Sequence, residues 1–204
     1  MNEEFYKTKR EQGLYRTYWD IYPKLLKKIK FNEDEKVLDA GCGNGELARY
    51  LKSRRLYGFD SDSTAVKIAK KKGYKKVIKS DIYKLPFKNK EFDKTICVEV
   101  IEYLAHPEIA FRELKRVTKE EVIISAANFR WYKLKSLFSM KWRRQYKDQL
   151  KMNKNFIDSR FLKRVGKMNS VQVKIIYVSN KFDLLRNLFG DWLASEVVAI
   201  YRLK

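Results

Sequence analysis

A glycine-rich loop directly after an apolar run is the first part of the chain that could bind a ligand. Residues 36–40 read KVLDA, and the next residues supply glycines at alternate positions, Gly41, Gly43 and Gly45. Such glycines let the backbone approach a ligand closely and turn sharply into a helix. A glycine loop after a strand is common to nucleotide-binding folds, so it does not by itself select the ligand.

The carboxylate of Asp39 beside this loop narrows the choice of ligand. It would repel a pyrophosphate, which a glycine loop otherwise holds at a helix N-terminus. The third glycine, Gly45, also comes one position too early for the dinucleotide pattern GxGxxG. A ligand that is cationic at this point fits better. S-adenosylmethionine is such a ligand, because it carries an ammonium and a sulfonium group and no phosphate.

Two later strand ends offer groups for the rest of such a ligand. Asp60, about 20 residues beyond the glycine loop, is placed to accept hydrogen bonds from both ribose hydroxyls. Ser61 or Asp62 would cap the helix that follows. Asp81 could accept a hydrogen bond from the adenine amino group, and the backbone amide of Ile82 could bind a ring nitrogen. Each of these acids could also stand in an ordinary loop.

The segment 98–104, VEVIEYL, is expected to line the methionine end of the ligand and to open toward a methyl acceptor. The candidate catalytic groups around it are Glu99, Glu102, Tyr103 and His106. His106 precedes Pro107 at a predicted helix start, where a capping or surface position is the favoured interpretation and an acceptor-site role the alternative. Some acceptors need a base and others do not, so no catalytic base is assigned.

The elements that must position these residues alternate along the chain. Short apolar strands are predicted around 36–40, 56–59, 77–78, 95–98 and 122–125, and amphipathic helices at 45–52, 63–72 and 107–117. This alternation is typical of βαβ units in a mostly parallel, doubly wound α/β sheet. Two closing strands at 171–178 and 195–203, with a short helix at 182–193, would complete the sheet and leave room for one antiparallel edge.

Both composition and length favour one intracellular domain over residues 1–204. The N-terminal stretch is charged and lacks the apolar core of a secretory signal, and no apolar run approaches the roughly 18 residues that span a membrane. Two cysteines and one histidine cannot build the usual zinc cluster, so no metal is predicted. A cytoplasmic protein is expected. Residues 1–30 are expected to form a helical cap that Pro23 breaks or kinks.

Positive charge is concentrated late in the chain. The formal net charge is +21, and residues 130–186 hold 16 Lys and Arg against 3 Asp and Glu. Such an excess favours a polyanionic partner such as RNA through counterion release, and a solubilising surface is the alternative.

An aromatic and basic helical insertion is predicted over residues 130–168. Within residues 131–150 one helix would place five apolar side chains on one face and basic side chains opposite. The five are Trp131, Leu134, Phe138, Trp142 and Tyr146. The insertion could cover an acceptor pocket, pack on the core, contact nucleic acid or lie on an anionic membrane.

Taken together, these segments resemble the Rossmann-like (class I) methyltransferases, the broad family that contains ubiquinone-biosynthesis and small-metabolite enzymes. The matching stretches are VLDAGCGNGELARYL at 37–51, GFDSD at 58–62, SDIYKLPFKNKEFD at 80–93, VEVIEYLAHPE at 98–108 and FRELKRV at 111–117. They come in the order and spacing of the family. The joint match is specific, whereas any one motif would not be.

The resemblance implies S-adenosylmethionine as cofactor and S-adenosylhomocysteine as product. It implies as cofactor-binding residues Asp39, Gly41, Gly43, Asn44, Asp60, Ser61, Asp81, Ile82, Val98 and Glu99. Tyr15 and Tyr18 are weaker candidates. Many relatives carry histidine where this chain has Tyr103, so the resemblance assigns no base. The implied function is methyl transfer, with a small-molecule acceptor favoured. An RNA methyltransferase docking through residues 130–186 and a non-catalytic cofactor-binding scaffold are the alternatives.

Overall fold

Seven strands in one sheet organise the chain. The computed structural model describes residues 21–51, 53, 55–178 and 194–203. The strands are β1 Val37–Ala40, β2 Leu56–Asp60, β3 Lys76–Lys79, β4 Phe92–Val98, β5 Thr118–Ala127, β6 Gln172–Val178 and β7 Glu196–Arg202. Their order across the sheet is β3-β2-β1-β4-β5-β7-β6. The predicted seven-stranded, mostly parallel α/β sheet is confirmed.

Strand β1 lies between β2 and β4 and pairs with both in parallel, and β2 pairs in parallel with β3. All four residues of β1 are buried, as expected for a parallel strand covered on both faces. Ala40 pairs with Phe59, so β1 and β2 end side by side. The loops that follow the two strands therefore begin at the same edge of the sheet.

Strand β7 is antiparallel to both of its neighbours, β5 and β6. The edge strand on this side is β6, so the prediction of an antiparallel edge is wrong in position. The antiparallel strand lies second from the edge because β6 and β7 follow one another in sequence and pair directly, as antiparallel strands can without a crossover. Glu196, the first residue of β7, consequently lies opposite Ala127, the last residue of β5.

Six α-helices flank the strands in the described ranges. They are α1 Ile21–Leu26, α2 Ser63–Ala69, α3 Pro107–Val117, α4 Phe129–Ser136, α5 Met140–Met152 and α6 Ser159–Met168. Helix α2 packs on β2 and β3, and α6 packs on β6 and β7. The side chains of Asp62, Asn128 and Asp158 accept backbone N–H groups at the starts of α2, α4 and α6. Asp62 is therefore the helix cap that the sequence suggested.

The helix predicted at residues 45–52 is instead a short 3-10 turn, Glu46–Arg49. Gly45 precedes it in the left-handed conformation and provides no capping side chain, so the first N–H groups receive no local acceptor. Tyr50 closes the turn with a hydrogen bond to the carbonyl of Leu47. A second 3-10 turn, Ile101–Tyr103, follows β4.

The prediction of a single amphipathic helix at residues 131–150 is also wrong, because the segment forms the two helices α4 and α5. Leu137, Phe138 and Ser139 connect them, and Phe138 is 80% exposed rather than part of an apolar face. Leu137 and Phe138, which follow one another in the sequence, are both exposed to solvent. The apolar face of one continuous helix would not hold both of these adjacent residues.

Some predicted elements lie outside the described residues. These are the first part of the N-terminal helix, with Tyr15 and Tyr18, and the whole of the helix predicted at residues 182–193. The chain divides into two compact units, Met1–Ile96 with Arg116–Lys119 and Cys97–Lys115 with Glu120–Lys204. The interpretation of residues 1–204 as one domain stays a prediction.

The close packing of α6 on β6 at Gly166 gives a test of the second unit. A Cβ atom at Gly166 would lie 1.9 Å from Cγ2 of Val173. We expect Gly166→Ala to lower the free energy of unfolding by about 1–3 kcal/mol, as overpacking does. The same exchange in an exposed helix would stabilise by roughly 1 kcal/mol. Urea unfolding followed by circular dichroism decides the sign, and a stabilised variant would contradict the packing of α6.

Candidate functional site

The glycine loop after β1 is held by its own backbone in a conformation that favours glycine. Gly41, Gly43 and Gly45 have φ angles of 72°, 50° and 79°. The N–H groups of Gly41 and Cys42 both donate to the carbonyl of Phe59, each at 2.9 Å. The loop is therefore tied to the end of β2, the strand that carries Asp60. No atom of a described residue lies within 4 Å of a Cβ atom built at Gly43, so this part of the loop is open on the side of the described residues.

Asp60 connects the glycine loop to the start of α2. Its Oδ2 accepts the N–H of Gly43 at 2.8 Å, and its Oδ1 accepts the N–H of Asp62 at 2.9 Å. A carboxylate has about four acceptor positions, so two remain beyond these backbone bonds. The predicted ribose-binding group is thus held rigidly and keeps acceptor capacity for two hydroxyl groups.

Tyr74 is a residue of this unit that the sequence analysis missed. Its hydroxyl donates to Oδ2 of Asp39 at 2.5 Å. Its ring fills the space beside two glycines, because a Cβ atom at Gly45 or Gly58 would lie 3.0 Å from the ring. The only sequence signal was Gly58 itself, since glycine inside a strand often marks a close approach by another group.

Asp39 is buried, with 1% of its surface exposed. Burial raises the pKa of Asp39 to about 7, the Tyr74 hydrogen bond lowers it, and the Asp60 charge adds to the rise. No ion pair of Asp39 with a cation is found in the described part of the chain. Near neutral pH this carboxyl therefore gains or loses a proton easily, and a cationic group beside it would favour the ionised form.

The other predicted cofactor residues lie in different settings. Asn44 follows Gly43, and its side-chain oxygen is buried without a hydrogen-bond partner among the described residues. Asp81 is exposed, and its Oδ1 accepts the N–H of Tyr83 at 3.0 Å. Ile82 is buried next to it, and Ser61 is exposed. Val98, the last residue of β4, is buried in the second unit.

Three buried carboxyl groups lie among the described residues of the second unit, those of Glu99, Glu102 and Glu196. Glu102 is 1% exposed and Glu196 is 6% exposed. Oε1 of Glu102 accepts the N–H of Ala127 at 3.4 Å. Both carboxyl oxygens of Glu99 and Oε2 of Glu102 are buried without a hydrogen bond of good geometry to a described residue. We refer to these three residues as the carboxyl cluster.

The carboxyl cluster favours bound protons. Burial, and then the charge of Glu196, raises the pKa of Glu99 well above its usual value. Burial, and then the charge of Glu99, raises the pKa of Glu102. The contact of Glu99 with Glu196 joins two carboxyl groups without ideal hydrogen-bond geometry, and a shared proton relieves their repulsion. Glu99 also has a left-handed backbone, with a φ of 56°, which is uncommon for a non-glycine residue.

The structure brings two of the four candidate catalytic residues, Glu99 and Glu102, together with Glu196, which the sequence analysis did not identify. Tyr103 ends the 3-10 turn and is half-buried. His106 is exposed, and its carbonyl accepts the N–H groups of Ile109 and Ala110 at the start of α3. In the described ranges, no group of three or more His, Cys, Asp and Glu is arranged to hold a metal ion.

Comparison with known proteins gives relatives for part of the chain. Residues 38–126 match the methyltransferase domain family. An uncharacterised protein of Methanocaldococcus jannaschii is 30% identical over 154 residues, which cover 76% of this chain and 57% of that protein. The malonyl-[acyl-carrier protein] O-methyltransferase of Legionella pneumophila is 29% identical over 108 residues, 48% of this chain and 38% of that protein. The chain spans roughly half the length of the first curated relatives it matches.

Solved structures share the fold. A SAM-dependent methyltransferase of Thermotoga maritima, described as a possible histamine N-methyltransferase, superposes with a TM-score of 0.72 at 19% identity. The match covers 98% of this chain and 96% of that one. The strand order and this likeness define a Rossmann-like, class I methyltransferase fold. Residues 38–126 are similar to the methyltransferase domain family, and the chain shares its fold with SAM-dependent methyltransferases.

The pKa of Asp39 gives a pH prediction. The folded pKa of about 7 lies above the unfolded value near 3.9, so the folded state holds an extra proton between these pH values. The wild-type free energy of unfolding therefore falls as pH rises toward 7, and this contribution is absent from Asp39→Asn, which keeps an acceptor for Tyr74. We expect the variant to gain about 2 kcal/mol relative to wild type between pH 5 and pH 8. Urea unfolding at each pH measures the gain, and parallel curves would contradict it.

The carboxyl cluster gives a second pH prediction. Because the folded-state pKa of Glu99 is raised, ionisation destabilises the fold as pH rises through that pKa. Glu196→Gln removes one of the repelling charges and can donate a hydrogen bond. We expect its thermal midpoint to exceed that of wild type at pH 8, with the difference shrinking at pH 5.

Glu120→Gln, at an exposed position of β5, is the matched control for this prediction. It removes the same charge from the surface, so its thermal midpoint should follow that of wild type at both pH values. A midpoint of Glu196→Gln below that of wild type at pH 8 would show that the carboxyls do not repel one another.

Proposed function

We propose that the chain is an S-adenosylmethionine-dependent methyltransferase that acts on a small-molecule acceptor. The single observation that carries the cofactor assignment is the double hydrogen bond of Asp60 to the N–H groups of Gly43 and Asp62. These two bonds hold a carboxylate with spare acceptor positions beside the glycine loop, which supports its assignment to the ribose. Asp39 adds a buried carboxyl at the base of the same loop, which disfavours a phosphate-bearing ligand.

In this proposal each part of the first unit binds one part of the cofactor. The loop from Gly41 to Gly43, with Asp39, holds the methionine end, where an ammonium group favours the ionised form of Asp39. Asp60 accepts the ribose hydroxyls. Asn44 offers a buried oxygen that still lacks a donor among the described residues. These groups fit S-adenosylmethionine in both charge and hydrogen-bonding capacity.

The adenine end is assigned to Asp81 and Ile82. The free oxygen of the exposed Asp81 would accept the adenine amino group, and buried Ile82 would provide an apolar wall and a backbone donor. Val98 and Glu99 stay candidates for the methionine end, as the resemblance implies, and Ser61 for the ribose.

For methyl transfer the protein mainly has to position the methyl group against its acceptor and to exclude water from both. When bound, the cofactor supplies an electrophilic methyl group on its sulfonium. The residues of the chain contribute orientation of that group, exclusion of water and, where the acceptor needs it, removal of a proton. Glu99, Glu102, Tyr103 and His106 stay the candidates for such a base, and none is assigned, because the buried carboxyls of Glu99 and Glu102 favour a bound proton.

A small-molecule acceptor is supported by the buried carboxyl cluster, which offers no attraction to a phosphate backbone. An RNA acceptor is the alternative, favoured by the basic segment at residues 130–186. The Legionella relative is named as an O-methyltransferase, and the Thermotoga structure is described as a possible N-methyltransferase. These names therefore do not favour one acceptor atom for this chain.

Two glycine variants form a matched test of the cofactor site. Gly43 and Gly73 both have positive φ angles, 50° and 82°, and a Cβ atom added at either would have no atom of a described residue within 4 Å. Gly43→Ala and Gly73→Ala should therefore lose similar stability, about 1 kcal/mol each, from backbone strain. Only Gly43→Ala puts a methyl group where the cofactor would lie. We expect it alone to weaken S-adenosylmethionine binding, by at least tenfold in calorimetric titration.

Turnover completes the test. Formation of S-adenosylhomocysteine by the wild-type protein, when metabolite extracts supply the acceptor, would support the proposal if Gly43→Ala loses this activity and Gly73→Ala keeps it. Binding without turnover on metabolites or RNA would favour the non-catalytic scaffold. A folded wild-type protein that binds no S-adenosylmethionine would overturn the cofactor assignment.

A further inference from the structure

The connection between α4 and α5, together with the first residue of α5, presents three large apolar side chains to solvent. Leu137 is 66% exposed, Phe138 is 80% exposed and Met140 is 76% exposed. We call Leu137–Met140 the apolar tip. Its backbone is ordered by hydrogen bonds, with Leu137 and Phe138 donating to the carbonyls of Leu134 and Lys135. Three such residues within four positions form a larger apolar surface than singly scattered ones, and such surfaces mark interaction sites.

Cations flank the apolar tip on both helices. Over residues 129–152, eight Lys and Arg stand against one acidic residue, Asp148. Six of the eight are exposed: Lys133, Lys141, Arg143, Arg144, Lys147 and Lys151. Arg143 folds back on the connection, with Nε donating to the carbonyl of Ser136 at 3.4 Å. An apolar projection with cations beside it matches an interfacial segment that inserts among acyl chains while its charges meet anionic headgroups.

The two tryptophans of this region, Trp131 and Trp142, are best suited to stack on nucleic-acid bases, but they contact Lys135 within the pair of helices α4 and α5. The Lys135 ammonium lies 4.4 Å from the ring centre of Trp131 and 3.8 Å from that of Trp142. Both indole rings are also half-buried. What projects instead is Leu137, Phe138 and Met140, of which two have no planar face for stacking. A protein partner is also disfavoured, because lysine is depleted in protein interfaces.

We propose that the apolar tip, Leu137–Met140, together with the flanking cations of α4 and α5, is a docking site for an anionic lipid surface. The tip inserts below the headgroups, and the basic side chains remain at their level. The helices attach to one side of the bilayer. No helix within the described ranges is long and apolar enough to cross a membrane.

Vesicle co-sedimentation of the full chain tests the docking. The vesicles are phosphatidylcholine with about 30% phosphatidylserine, an anionic surface of the kind that attracts basic segments, and pure phosphatidylcholine is the comparison. We expect binding to the anionic vesicles only, and a weakening of at least tenfold in Phe138→Ser/Met140→Ser. The matched control Ile109→Ser/Met168→Ser removes two other exposed apolar residues, 40% and 64% exposed, and should bind as wild type. Equal binding by both double variants would overturn the proposal.

A fluorescent label distinguishes insertion from adsorption and from RNA binding. The two native cysteines, Cys42 and Cys97, are buried, so a label reacts at an introduced Phe138→Cys or, as control, Met168→Cys. An environment-sensitive dye at position 138 should brighten severalfold with anionic vesicles and not with poly(U). The dye at position 168 should stay unchanged. Brightening with poly(U) alone, or vesicle binding without brightening at position 138, would overturn insertion of the tip.

Discussion

The hydrogen bond from the N–H of Gly43 to the carboxylate of Asp60 is the contact on which the candidate cofactor site depends. It joins the loop after β1 to the end of β2, and the parallel pairing of these strands places the two groups at one edge of the sheet. Without a side chain at Gly43 the loop can come this close and still be open on the side of the described residues. The same carboxylate holds the N–H of Asp62, which caps α2, so one side chain sets the loop, the strand end and the helix start.

Buried acids are the second theme of the molecule. In the first unit the Tyr74 hydroxyl is the one hydrogen-bond partner of the Asp39 side chain among the described residues, and burial dominates the pKa of Asp39. In the second unit the carboxyl cluster has charges of one sign. Buried carboxyls without cations destabilise a fold when ionised, so arrangements of this kind are more readily explained by function than by stability. In both sets burial favours the protonated, neutral form of the carboxyl groups, and a nearby cation would favour the ionised form.

The sequence predicted the parts of the fold that depend on local pattern. Strand β1 was recognisable because three of its four residues are apolar, as in a buried parallel strand, and α3 because its apolar residues recur at helical spacing. The glycine loop and Asp60 were predicted for the same reason: their chemistry is contained in a few consecutive residues. The sequence-based prediction failed where the structure depends on contacts between residues that are distant in the sequence. Tyr74 meets Asp39 across 35 positions, and no local pattern marks that contact. The break between α4 and α5 was missed because helical spacing continues through it.

The antiparallel direction of β7 has a consequence for how proteins of this kind can diverge. It brings Glu196 beside Ala127, although the whole basic segment, residues 130–186, lies between them in the sequence. Ala127 comes directly after residue 126, where the family match ends. Part of the carboxyl cluster is therefore encoded outside residues 38–126, the segment that matches the family. Two chains with the same residues 38–126 can differ in the number of buried acids by a change in their last strand alone. Inheritance of the family-matched segment and variation of the C-terminal strand are, in this architecture, separable events.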